Sequence, residues 1–154
     1  MHGIRIIEIP DCKMVSSAVG MFGEEHFTAF HDWFSTLPRP IFPRDFLFWD
    51  DSAAPHGAVG FRWLCYYEPW MQPPSEFDVI DFAGGLYAVA TDIDGQTDMA
   101  ALDAERDAFL AENGLQVDES RPSLGNVTTT PAANAILGYN QMDYYTPVKA
   151  RMSY

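Results

Sequence analysis

Positive charge is scarce. Nine Lys and Arg stand against twenty-two Asp and Glu, a net charge of −13 over 154 residues. Nucleic-acid affinity comes mostly from basic side chains on phosphates, so this balance argues against a nucleic-acid binder. It also disfavours docking on anionic membrane surfaces. Neutral or cationic ligands, or a basic protein partner, fit it better. Cysteine is rarer still. Cys12 and Cys65 are too few for a disulfide scaffold or a four-thiolate metal site. Both sit in apolar, strand-like runs that suit buried free thiols. No apolar run approaches the ~20 residues of a membrane-spanning helix. The chain begins in strand pattern at Met1-His2-Gly3-Ile4-Arg5, without the apolar core of a signal peptide. A cytoplasmic protein is expected, in which the Asn126-Val127-Thr128 sequon carries no meaning.

Metal and catalytic signatures are missing as well. Of His2, His26, His31 and His56, only His26 and His31 share a helix. Their spacing turns them about 140° apart, on different faces. No His-x-x-x-His or Cys-x-x-Cys occurs. The acidic run Asp92-Ile93-Asp94-Gly95 places its glycine too early for a calcium loop and ends on Asp103 where a Glu is needed. There is no glycine-rich phosphate loop and no Gly-x-Ser-x-Gly elbow. Cys65 lies mid-strand, away from any activating helix start. No cofactor, no metal and no catalytic residue is therefore assigned.

What the chain does have is apolar and aromatic mass. Apolar residues are 47%, aromatics 14% and charged residues 20%, the balance of a folded domain. Strands are predicted over Ile4–Pro10, Lys13–Val19, Phe46–Trp49, Phe61–Tyr67, Phe77–Phe82, Leu86–Thr91, Leu124–Thr129 and Met142–Val148. Gly84-Gly85 reads as a hairpin or bulge turn. One helix opens at Gly23-Glu24-Glu25 and carries Phe27, Phe30, Phe34 and Leu37 on one stripe. A second, capped by Thr97 or Asp98, carries Met99, Leu102, Phe109 and Leu110 and ends at Asn113-Gly114. Pro131 to Asn140 is read as loop.

The two halves, about 1–68 and 76–150, look alike. Ile7-Glu8-Ile9-Pro10 parallels Ile80-Asp81-Phe82-Ala83, and Met14-Val15 parallels Tyr87-Ala88 at the same offset. Each half reads strand, helix, strand, strand, and Pro69 to Ser75 separates them as a linker. The expected fold is α+β within one domain: two pseudo-symmetric β-α-β-β units forming a curved, mostly antiparallel sheet, with two helices on one face and a central cleft. Trp49, Trp63, Tyr67 and Tyr87 lie on predicted strands, with Glu68 and Asp143 among the aromatics. Asp143 and Tyr145 alternate, so they share a face, as do Trp63 and Tyr67. Aromatic faces beside a carboxylate suit an amphipathic or cationic small molecule.

At these residues the chain resembles the GyrI-like small-molecule-binding domain, the effector-binding domain of AraC- and MerR-type regulators. Ile6-Ile7-Glu8-Ile9-Pro10 leading to Met14-Val15 and Gly20 is similar to its first strands. The helix ending in Asp32-Trp33-Phe34 and the Asp94-Gly95 before the second helix fit it too. So do Phe82-Ala83-Gly84-Gly85-Leu86-Tyr87-Ala88-Val89, with Ala83 where the family has Pro, and Asp143-Tyr144-Tyr145-Thr146-Pro147-Val148. The resemblance implies a pseudo-twofold fold with a ligand cleft between its halves, here in a stand-alone copy. Family members often hold a buried Glu in the strand after the second helix; Asn126 or Gly125 stands there. A neutral amide orients a ligand but neither offsets its charge nor serves as a base. The resemblance adds Asn126 and the Asp143–Tyr145 pair to the aromatic and acidic residues read above, giving an expected binding site of Trp49, Trp63, Tyr67, Glu68, Tyr87, Asn126, Asp143 and Tyr145. Two alternatives follow from the same family: a hydrolase of strained electrophilic toxins, with Glu68 or Asp143 as general base, or a protein-partner module such as a DNA gyrase inhibitor.

Overall fold

The computed structural model describes residues 3–38, 47–51 and 60–152. In chain order the elements are β1 (Arg5–Ile9), β2 (Cys12–Ser16), α1 (Glu25–Ser35), β3 (Leu47–Asp50), β4 (Phe61–Tyr66), β5 (Asp78–Phe82), β6 (Gly85–Ile93), α2 (Met99–Glu112), β7 (Leu115–Val117), β8 (Leu124–Val127), α3 (Pro131–Leu137) and β9 (Gln141–Ala150). Helices and antiparallel strands make this an α+β fold, as expected. Of the sequence readings, those on His2, Phe46 and His56 lie outside the described residues.

Two compact units divide the chain out of sequence order. Unit I holds Met1–Pro10 and Gly84–Tyr154; unit II holds Asp11–Ala83. The sheet of unit I runs β1-β6-β9-β8, with β7 also on β9. That of unit II runs β5-β2-β4-β3. Gly84-Gly85 is not a hairpin turn. The flanking strands take other partners, β5 joining β2 and β6 joining β1 and β9, and the glycines stand where the chain passes from unit II to unit I.

Strands β1, β6, β9 and β8 of unit I repeat β5, β2, β4 and β3 of unit II in pairing order, and β7 is additional. The shift in numbering that carries Arg5 to Asp78 also carries Ile9 to Phe82 and Cys12 to Gly85. It turns the β1–β6 rung Ile9↔Gly85 into the β5–β2 rung Phe82↔Cys12, and Arg5↔Val89 into Asp78↔Ser16. In the remaining strands, Trp49↔Arg62 in unit II takes the place of Asn126↔Asp143 in unit I. The sequence likeness between the halves is thus a likeness of register.

Each sheet has one face under a helix. In unit II the α1 stripe puts Phe27 and Phe30 at 1% and 0% exposure. Phe30 joins Val15, Cys65 and Phe77, with Trp33, Phe34, Trp63 and Tyr67 packed around them. In unit I, Asp98 caps α2 by accepting from the Ala101 amide at 3.1 Å. Leu110 then meets Ala88 and Val148, with Ile6, Phe109 and Val117 alongside. Arg106 ties the same helix to β9 through the Thr146 hydroxyl.

Residues 131–137, read as loop, form helix α3 instead. Thr130 caps it, accepting from the Ala133 amide at 3.2 Å, and Pro131 occupies its first turn. Gly138, at φ 78°, ends it in the left-handed conformation. The start and stop signals were in the sequence. The apolar stripe was not, because α3 buries no residue and Ile136 is 86% exposed. The Pro69–Ser75 stretch lies inside unit II, where Met71 is buried.

Candidate functional site

Side chains of adjacent rungs alternate between sheet faces, so pairing fixes which residues stand together. In unit I the rungs Thr91↔Asp143 and Asn126↔Asp143 put Thr91, Asp143 and Asn126 on one face. Arg5, Val89 and Tyr145 share that face, through Arg5↔Val89 and Val89↔Tyr145. It is the face opposite Ala88 and Val148, hence opposite α2. Four of the eight expected site residues meet here: Tyr87, Asn126, Asp143 and Tyr145.

Asp143 is the centre of this group. Its carboxylate is buried, and both oxygens are engaged. The Arg5 guanidinium donates to Oδ2 at 3.1 Å. The Thr91 hydroxyl donates to Oδ1, and Arg5 also reaches that hydroxyl, at 3.5 Å. Buried Asn126 stands beside it in the ladder. A buried carboxylate next to a buried amide is costly to place and is tolerated only with partners. The Tyr145 ring is half-buried and meets the edge of the Tyr87 ring, with centroids 6.4 Å apart.

Tyr87 itself is fully buried beneath a cation. The Arg121 guanidinium lies 4.8 Å over its ring. Arg121 also donates to the carbonyls of Leu86 and Val148, at 2.8 and 2.9 Å, and pairs with Asp118 at 3.0 Å. Gly85 makes this possible: a Cβ there would stand 2.6 Å from the guanidinium carbon. Hydrogen bonds from Ser120 and then Arg121 hold the Asp118 carboxyl down at about 2. A depressed carboxylate stabilises the fold above its unfolded pKa, and that contribution is lost as pH falls toward the folded value. Asp118→Asn should therefore flatten the loss of stability between about pH 4 and pH 2, measured by urea unfolding along a pH series.

The other four expected residues lie in unit II and do not form one group. Trp63 and Tyr67 share a face, as their alternation requires, but it is the face under α1. Trp63 stacks on Phe27 at 5.2 Å and meets Phe30 and Phe48 edge-on. These rings pack against the core cluster of unit II. Trp49 points to the opposite face, between the Arg62 guanidinium at 5.6 Å and the Phe82 ring at 6.3 Å. Arg62 is held by Asp51 at 2.6 Å. Half-buried Glu68 follows β4, and its carbonyl accepts from the Met71 amide.

Sequence reasoning missed Arg5, Thr91 and Arg121. Nothing local marks them: Arg5 meets Asp143 across 138 positions, and Thr91 meets it across 52. Among the described residues no group of His, Cys, Asp and Glu could hold a metal ion. No helix among them is long and apolar enough to cross a membrane. A hollow of about 560 Å³ lies elsewhere, lined by Asp11, Cys12, Lys13, Asp81, Phe82 and Ala83. Burial, and then the Asp11 charge, push the Cys12 thiol up, away from a reactive thiolate. Lys13 is closed on Asp81 at 2.8 Å. That hollow contains no expected site residue and no activated nucleophile.

No family model matches the chain, and no curated protein matches it. Solved structures do. The C-terminal domain of EcmrR matches over 97% of this chain and 99% of its own, with a TM-score of 0.64 at 9% identity. EcmrR in its DNA complex matches over 98% of this chain, which spans 58% of that one, with a TM-score of 0.59 at 9% identity. A hydrolase from Listeria innocua matches over 95% of this chain and 91% of its own, with a TM-score of 0.64 at 13% identity. At such identities the likeness is one of fold alone.

Proposed function

We propose that the chain binds a small amphipathic molecule on the sheet face of unit I opposite α2, with Asp143 and Asn126 as polar anchors and Tyr145 as an aromatic wall. The observation that carries this reading is the buried Asn126↔Asp143 rung on the sheet face opposite α2. A face meant only for packing would place apolar side chains there. Few, well-oriented polar groups among aromatic walls are the usual make-up of a small-molecule site. Tyr87, locked beneath Arg121, supports the wall from behind. In the same reading the GyrI-like fold supplies the precedent of small-molecule binding.

The hydrolase reading draws less support. Its candidate bases are Asp143, whose carboxylate is ion-paired with Arg5, and Glu68, which belongs to the other unit. The protein-partner reading rests on net charge alone.

Calorimetric titration with a panel of neutral and charged aromatic amphiphiles tests the proposal. Asp143→Asn or Tyr145→Ala should weaken the best binder about tenfold or more, with the helix signal in circular dichroism unchanged. Equal affinity in both variants would move the site elsewhere.

A further inference from the structure

The ion pair at the centre of this face is lopsided. The Asp143 side chain is 8% exposed, whereas that of Arg5 is 53% exposed. The anion is therefore built into the sheet, and the cation covers it from the solvent side. Arg5 uses one nitrogen on Asp143 and another on the Thr91 hydroxyl. A guanidinium has five N–H donors in a rigid fork, so several remain for another acceptor. With Arg5 in place the group carries no net charge.

A cationic ligand would have to displace Arg5 before it met the carboxylate. A neutral or anionic ligand would keep the pair and add acceptors to the outer edge of the fork. The matching position in unit II has the opposite arrangement: there a cation, Arg62, sits on the strand, and an acid, Asp51, neutralises it.

From this we infer that Arg5 is the residue that sets charge selectivity at the Asp143 face, disfavouring cations and favouring neutral or anionic amphiphiles of the same shape. The inference rests on the binding reading above and refines its ligand class. It also sets aside the cationic ligand that the acid and the aromatic residues suggest when read without Arg5.

Two ions of one shape and opposite charge, tetraphenylphosphonium and tetraphenylborate, test it by calorimetry. Their hydration differs, so the quantity to follow is the ratio of their affinities across variants. Arg5→Gln should raise affinity for the phosphonium and lower affinity for the borate by about tenfold each. Arg5→Lys, which keeps the positive charge, should stay near the wild-type ratio. Arg5→Met keeps the aliphatic stem and serves as the second neutral variant should Arg5→Gln fail to fold. Asp143→Asn should move the ratio the other way. A ratio unmoved in both neutral Arg5 variants but shifted in Asp143→Asn would overturn the role of Arg5 and leave the site standing. Both affinities unmoved in every variant would overturn the site as well.

Discussion

Phe30→Ala should lower the stability of the protein by about 3–5 kcal/mol, the range for removing a large aromatic from a packed core. Phe30 has no exposed surface. Its ring lies edge-on to Trp33, Trp63 and Phe77, with centroids 5.7, 6.1 and 5.1 Å away. The ring is the point where α1 meets β4 and the segment before β5, so the cavity cannot close by moving one neighbour. Urea unfolding followed by Trp fluorescence would measure the loss directly, since Trp33 and Trp63 line the gap. Trp63→Ala belongs to the same class and serves as a control on the site: it should cost stability and leave affinity on unit I unchanged once the folded fraction is accounted for. A loss below about 1 kcal/mol at Phe30 would mean that α1 is not held as described.

The second large effect is expected at Arg121. Its side chain is 10% exposed, and Arg121→Ala would remove an ion pair, two carbonyl hydrogen bonds and the cation over Tyr87 at once. The pair is partly buried and Asp118 keeps its Ser120 bonds, so a loss of about 2–3 kcal/mol is expected, between the surface and the buried case. Gly85→Ala reaches the same spot from the other side. It forces a Cβ to 2.6 Å from the guanidinium and strains a residue at φ 146°, for about 2 kcal/mol or more. The double variant should lose less than the two single losses combined, because Arg121→Ala removes the overlap and leaves only the backbone strain. Strict additivity in that cycle, read by thermal and urea unfolding, would contradict the packing of Arg121 on Gly85.

Among the described residues every strand but β7 (Leu115–Val117) was legible, and so were the two long helices, because their signals are local. Period-two apolar runs marked the strands, and the Phe27–Phe30–Phe34 spacing marked α1. The repeat was legible too, since Ile7-Glu8-Ile9 and Ile80-Asp81-Phe82 are neighbours in pattern. Three further features were not. The exchange that puts β1 beside β6 and β5 beside β2 leaves no trace within either strand, and Gly84-Gly85 invites the shorter hairpin solution. Helix α3 has caps but no stripe. The face of each aromatic followed from alternation, but which face lay under a helix depended on Val15, Cys65 and Phe30 meeting in space. Trp63 and Tyr67, read as ligand walls, pack against the cluster under α1, while Asp143, Asn126 and Tyr145 share one face of unit I. Arg5 escaped notice because an arginine near a chain start has no pattern to mark it.

The measurement that bears most directly on the central proposal is a chemical-shift map of the side chains. The Thr91 methyl group, the Asn126 side-chain amide and the Tyr145 ring would be followed by NMR while the best calorimetric binder is added. The account predicts saturable shifts in all three, with the Trp63 indole unmoved beneath α1. Shifts confined to Trp49 and Arg62, with Thr91, Asn126 and Tyr145 silent at saturation, would contradict it and place binding on unit II.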